Sequence, residues 1–162
     1  MSGKIKEKRV FVLLHNIRSV HNVGSMFRTA DAAGVSKMFL TGYTARPADR
    51  FGREVKALSK VALGAEKNVE WEYERSPVAV LNRLKKQGVK IVGVEQDKRA
   101  VDYKKEKISR PACFLVGNET EGLPKKLLDK CDVIAEIPML GKKESLNVSV
   151  SFGIALFRML GI

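Results

Sequence analysis

Three short runs constrain this chain most: residues 9–14 (RVFVLL), 89–94 (VKIVGV) and 112–116 (ACFLV). Their successive positions are apolar, the pattern of a strand buried on both faces, which occurs where helices cover both sides of a parallel sheet. Helix signals lie between them. Residues 24–34 carry Met26, Phe27, Ala30 and Ala33 at helical spacing, with Gly34 as a stop. Ser76-Pro77 joins a capping residue to a proline suited to a first turn, Val78, Leu81 and Leu84 follow on one face, and Gly88 ends the segment. Shorter strands are expected at 37–40 and 133–137, and an alternating edge strand at 69–73 (VEWEY). A short helix fits 54–63, and another starts near Pro124. Strand and helix alternate throughout. The pattern predicts an α/β domain with a mostly parallel sheet and helices on both faces. Residues 1–8 read as a basic tail and 9–162 as a single domain.

The most distinctive polar stretch is 137–151, IPMLGKKESLNVSVS, followed by an apolar run to Leu160. Pro138 cannot donate to a ladder and stops the strand before it. Gly141 permits a tight turn. Ser145 or Asn147 is a natural N-cap. Beyond them Val148, Val150, Phe152, Ile154, Leu156, Phe157 and Met159 occupy nearly every face, which predicts a buried helix. A polar loop fed into such a helix is rigidly held and can place side chains accurately. Taken alone, Ser145 and Asn147 need be no more than caps.

The formal charge of +12 makes a polyanion, and nucleic acid first, the expected partner; a merely solvated basic surface is the plainer alternative. No signal-type apolar segment opens the sequence, and no apolar run approaches the roughly 20 residues that span a bilayer. A soluble, cytoplasmic protein is therefore expected, with no membrane partner. Cys113 and Cys131 sit in or beside apolar segments and read as small buried hydrophobes. His15 and His21 have no ligand-type neighbours at useful spacing, so no metal is expected.

Ligands of parallel sheets bind at the carboxyl ends of strands. Three polar motifs fall there. The first is Asn16-x5-Asn22-x-Gly24-x3-Arg28, whose Asn22 and Arg28 can border one cleft from the start of a helix. The second is Gly117-Asn118-Glu119-x-Glu121-Gly122, directly after a buried strand, where a glycine lets a ligand approach the backbone and Glu119 supplies a carboxylate. The third is the 137–147 loop. Singly, each has an ordinary reading as a cap, a surface arginine or a turn with solvated acids.

Together, and in this order, the motifs resemble the SpoU/TrmH family of RNA 2'-O-ribose methyltransferases within the SPOUT superfamily. "LVGNETEGL" is similar to the family's Gly-x-Glu-x-x-Gly block, and "IPMLGKKESLNVSVS" to its C-terminal block. The resemblance spans about Val10 to Leu160. It implies a C-terminal trefoil knot, an exception to the rule against threaded chains, and a homodimer with its sites near the interface. It implies S-adenosylmethionine as cofactor, held mostly by backbone groups of three loops. Here these carry Val94, Glu95 and Gln96, then Gly117 and Asn118, then Ile137, Met139, Ser145, Leu146 and Asn147.

It further assigns the catalytic set Arg28, Asn22, Glu119, Ser145 and Asn147. The Arg matching Arg28 is regarded in the family as the base. An arginine stays protonated in proteins, so orienting a phosphate and stabilising developing charge is the alternative role. Asn22 and Asn147 are expected to fix Arg28 and the cofactor, and Glu119 to hold Arg28 or the loop. With only residues 1–8 ahead of the first strand, RNA recognition is expected from basic segments 46–67 and 98–110, and in particular from Arg18, Arg46, Arg50, Arg53, Lys56 and Lys60. Either tRNA or rRNA fits. Two rival readings are a basic RNA-binding module without methyl transfer and a SPOUT enzyme that methylates a base nitrogen.

Overall fold

The computed structural model describes residues 8–162, so of the expected 1–8 tail only the exposed Lys8 lies within the described residues. Among the described residues seven strands form one sheet: β1 Val10–His15, β2 Lys37–Thr41, β3 Glu70–Glu74, β4 Lys90–Val94, β5 Val101–Asp102, β6 Ala112–Val116 and β7 Val133–Glu136. Their spatial order is β3-β2-β1-β6-β4-β7-β5, and every pairing is parallel. The helices are α1 Val20–Ala32, α2 Lys56–Ala62, α3 Ala65–Asn68, α4 Pro77–Lys86, α5 Lys125–Leu128 and α6 Val148–Leu160.

The side-chain alternation of a strand divides its apolar run between two cores. In β1, Val10, Val12 and Leu14 join one core while Phe11 and Leu13 join the other. In β6, Ala112, Phe114 and Val116 face the first and Cys113 and Leu115 the second. The first core is closed by α1, α2, α3 and α6, the second by α4 and α5. Each wholly buried large apolar side chain contributes about 1.5–3 kcal/mol, which is why central strands with no polar position are favourable here. The expected edge strand at 69–73 is β3, the last strand on its side of the sheet. Ion pairs tie it to β2: Lys37 pairs with Glu70 at 2.8 Å and Glu72 at 2.6 Å.

Helix α3 has no counterpart in the sequence pattern, and two further helices depart from expectation. Helix α1 starts at Val20, four residues before the predicted segment, because Ser19 accepts from the Asn22 N–H at 3.1 Å and caps it. Asn22 is thus inside the first turn and buried. Gly24 marks where α1 crosses α2. A Cβ there would lie 2.9 Å from both the Leu58 carbonyl oxygen and Val61 Cβ, so only glycine permits the approach. Helix α6 is capped by Asn147, which accepts from the Ser149 N–H at 2.9 Å. It is not buried all round: Phe152, Ala155, Leu156 and Met159 are buried, while Val150 and Ile154 are 48% and 37% exposed. The two-residue strand β5, inside the charged 97–110 connection, was not predicted. Among the described residues no helix is long and apolar enough to cross a membrane.

Candidate functional site

The three expected loops do converge. At the carboxyl ends of β4, β6 and β7, which are adjacent in the sheet, a cavity of about 320 Å³ opens. Val94, Glu95 and Gln96 form one side, Gly117 to Gly122 the second, and Ile137, Met139, Ser145, Leu146 and Val148 the third. Its size falls within the range of about 300–1,000 Å³ common for small-molecule sites.

The wall after β6 is tied to itself and to its neighbours. A Cβ on Gly117 would sit 2.6–2.7 Å from the backbone of Gly122 and its successor, because the turn folds back and the Gly122 N–H donates to the Asn118 carbonyl at 3.0 Å. The close approach expected of a ligand at Gly117 is therefore made by the chain itself. Asn118 Oδ1 accepts from the Thr120 and Glu121 N–H groups at 3.0 and 2.9 Å. Its amide donates to the Asn16 carbonyl and to the Tyr43 hydroxyl, both at 2.9 Å. Glu95 works from the adjoining strand end: its Oε2 accepts from the Leu123 N–H at 2.9 Å and its Oε1 from the Gln96 N–H at 3.0 Å.

Glu119 is the centre of the polar network. Its Oε2 accepts from the Arg18 N–H at 3.1 Å, and its Oε1 from the Ser19 N–H at 2.9 Å and Asn22 Nδ2 at 3.3 Å. Partial burial acts to raise its pKa, but the N–H groups of Ser19, Glu119 itself and Arg18, with the Asn22 amide, prevail and hold it below the usual carboxylate value. Asn22 continues the network, accepting from Asn147 Nδ2 at 3.2 Å. Asn22, Glu119 and Asn147 are thus joined in one network.

Arg28 is not part of that network. It is exposed and borders a separate shallow hollow with His21, Ser25, Thr29, Ala32, Val61 and Phe157. Among the described residues, neither Glu119 nor the two asparagines hold it, contrary to the expected contacts; it lies about 1.7 helical turns beyond Asn22 along α1. Ser145 lines the cavity from an exposed loop position. Gly141 is also corrected. It is exposed, has no positive φ, and has open space where a Cβ would lie, so no tight turn demands it. His15 is buried outside the cavity and braces β1 to β2 through Thr41 Oγ1 at 2.9 Å; burial, then the Lys126 charge, lowers its pKa.

Two acidic cavity residues are absent from the expected site residues, Glu136 and Glu144. Each has a signal in the sequence: Glu136 stands at the end of a strand, and Glu144 lies within the 137–147 loop. With Glu95, Glu119 and Glu121 they give this cavity five carboxylates in a chain of formal charge +12. The basic residues expected to meet RNA lie elsewhere. Arg18, Arg50, Arg53, Lys56 and Lys60 are exposed, and Arg46 is half-buried with its guanidinium 4.2 Å from the Tyr73 ring centre. Arg53 also pairs with Asp49 at 2.8 Å.

Comparison with known proteins bears on this geometry. The model of the SpoU rRNA methylase family matches residues 9–157. The chain is 32% identical over 152 residues to a tRNA (guanosine(18)-2'-O)-methyltransferase of Aquifex aeolicus, covering 94% of this chain and 69% of that one. It is 32% identical to the 23S rRNA (guanosine-2'-O-)-methyltransferase RlmB of Neisseria meningitidis, covering 94% and 58%. A crystal structure of an AdoMet-bound rRNA methyltransferase from Sinorhizobium meliloti superposes with a TM-score of 0.85 at 30% identity, covering 95% of this chain and 56% of that one. Most of the curated relatives are thus matched over less than two thirds of their own length.

Proposed function

The chain belongs to the SpoU methylase family, and from that premise we propose that it is an S-adenosylmethionine-dependent methyltransferase acting on a ribose 2'-hydroxyl of tRNA or rRNA. The observation that carries this reading is the acidic cavity at the ends of β4, β6 and β7. S-adenosylmethionine is cationic at its sulfonium and amino groups, and five carboxylates in a basic protein suit it. Val94, Ile137, Met139, Leu146 and Val148 offer apolar surface for an adenine. A nucleotide polyphosphate fits this lining badly. The rival of a basic module without methyl transfer leaves the acidic cavity unexplained. Relatives named for 2'-O-methylation favour ribose over a base nitrogen.

When bound, the cofactor supplies an electrophilic methyl group. The chain's part is to orient a ribose and lower the cost of losing the hydroxyl proton. Glu119, with its lowered pKa, is a weak base, so its role is to fix the 18–22 turn against the cavity. Asn22 and Asn147 extend that bracing to the start of α6. Arg28 clamps a substrate phosphate through its guanidinium fork and offsets the negative charge that develops on the attacking oxygen, and the hydroxyl proton passes to that phosphate or to water.

Its hollow adjoins the exposed stripe of α6, where Val150 and Ile154 run into Phe157 and a Cβ on Gly153 would lie 3.5 Å from Thr29 Cγ2. A second copy seated on this face buries the stripe and encloses Arg28, which gives a homodimer. The cytoplasmic setting, the metal-free reaction and the knotted threading of the C-terminal segment belong to the same reading.

Titration calorimetry with S-adenosylmethionine in EDTA, followed by mass spectrometry of nucleosides from treated tRNA and rRNA, tests it. Binding and a 2'-O-methylated nucleoside are expected. Neither one appearing, or a methylated base instead, overturns it. Arg28→Ala is expected to keep the fold and cofactor affinity while methyl transfer falls about 100-fold or more.

A further inference from the structure

The connection after β2 carries features that catalysis does not use. Tyr43 is 56% exposed although it follows immediately on a buried strand. It stands there for local reasons. Gly42, at φ 63°, turns the chain so closely over Asn16 that a Cβ would meet the Asn16 amide oxygen, and that same oxygen accepts from the Tyr43 N–H at 3.1 Å. The Tyr43 hydroxyl is anchored by Asn118 Nδ2 at 2.9 Å, and Asn118 lines the cavity. The ring is therefore fixed at both its backbone and its tip, with its apolar body in solvent beside the cavity mouth. Outward along the same connection come Arg46 over Tyr73, then the 67% exposed Phe51 with Arg50 and Arg53 at 4.7 and 5.0 Å from its ring centre.

Fixed, exposed aromatics interleaved with arginines are how proteins hold single-stranded nucleic acid. Bases stack on the rings and phosphates meet the guanidinium groups. We propose that Tyr43 is the stacking residue for an unpaired base of the RNA strand entering the cavity. Its anchoring by Asn118 sets that base at a fixed distance from the cavity loop. This rests on the RNA-methyltransferase reading above and adds to it a residue that selects single-stranded RNA presentation.

The test uses the full chain and fluorescein-labelled twelve-nucleotide oligoadenylate and oligouridylate, neither of which needs to be the natural target. Tyr43→Ala is expected to weaken oligoadenylate binding about 10-fold, and oligouridylate less, since a purine offers the larger stacking face. The slope of affinity against salt should stay as in the parent, because no phosphate contact is removed. Tyr43→Phe, which keeps the ring and loses the hydroxyl, should bind within about twofold of the parent.

The proposal is overturned if Tyr43→Ala, folded by circular dichroism, binds oligoadenylate within twofold of the parent. It is overturned equally if Tyr43→Phe loses as much as Tyr43→Ala, since the hydroxyl contact then carries the effect, or if the parent binds neither oligonucleotide. S-adenosylmethionine affinity, expected unchanged in both variants, is read separately. Failure of the parent to bind the cofactor strikes the methyltransferase reading and leaves the stacking measurement interpretable.

Discussion

The cavity has two unlike walls. The 117–122 wall is braced on all sides: its backbone folds on itself at Gly117 and Gly122, Glu119 accepts from two N–H groups and an amide, and Asn118 reaches Asn16 and Tyr43. The 138–147 wall is open. Residues 140–147 are all exposed, Leu140 almost fully at 96%. Two side-chain contacts hold its far half: Gln96 Nε2 donating to the Glu144 carbonyl at 2.8 Å, and Asn147 donating to Asn22. A braced wall sets geometry before a ligand arrives. An open one can admit a ligand and order over it, at an entropic cost that lowers net affinity. The difference predicts that substitutions in the first wall act on folding and those in the second on binding.

The largest break in that contrast is expected at Glu119. Glu119→Ala strands the Arg18 and Ser19 N–H groups and the Asn22 amide, and charge-assisted bonds of this kind are worth about 1.5–3 kcal/mol each before solvent compensates. A net loss of about 3 kcal/mol is expected, lowering Tm by roughly 6–12 °C for a chain of this size. The pH dependence sharpens the point. The folded-state pKa of Glu119 is depressed, so its stabilising contribution is complete above the unfolded value of about 4.3 and is lost as pH falls through the folded value. The gap in stability between the parent and Glu119→Gln should therefore be widest near neutrality and narrow below about pH 4. A gap constant across that range would remove the carboxylate from the bracing.

The glycines give the next comparison. Gly117→Ala forces a Cβ against backbone at 2.6–2.7 Å, which side-chain motion cannot relieve, and should cost about 1–3 kcal/mol. Gly141→Ala meets nothing and needs no left-handed backbone, so thermal unfolding should move by less than about 1 kcal/mol, if anything upward. Equal effects from the two would make the walls alike.

Much of this was legible in the sequence, because buried strands announce themselves. The apolar run 112–116 announces a strand and β6 is Ala112–Val116, whereas the gathering of the loops after β4, β6 and β7 is implied by the family resemblance and not by any local pattern. Caps that precede an apolar face were legible too, as at Ser76. Ser19 offered the same signal, three residues ahead of Asn22, but was read as part of a polar loop.

Other features had no local signature. Strand β5 exists because β7 offers it a pairing partner. The open stripe on α6 is indistinguishable by composition from a buried face, since apolar residues all round a helix do not say which of them meet this chain. The position of Arg28 outside the cavity follows from how α1 lies over α2 and α6, which spacing along one helix cannot report. Tyr43 reads like any aromatic after a strand; only the fold shows that it points into solvent.

The smallest expected effect is the most discriminating, and it concerns Gln96. Its side chain ties the end of β4 to the Glu144 carbonyl, bridging the rigid frame to the open wall. Gln96 is exposed and its partner is a backbone oxygen that water can satisfy, so Gln96→Ala should leave stability within about 0.5 kcal/mol. The loop should then have more conformations to lose on closing over a ligand. A typical intramolecular hydrogen bond is worth about 1 kcal/mol net, which corresponds to roughly fivefold weaker cofactor binding. That loss should fall on the dissociation rate, because the contact acts after the ligand is in place. Stopped-flow measurement of cofactor release separates the cases. Faster release with an unchanged Tm is the outcome for an open wall that Gln96 straps to the frame. A fall in Tm with unchanged release means that Gln96 braces the frame instead, and that both walls are set before binding.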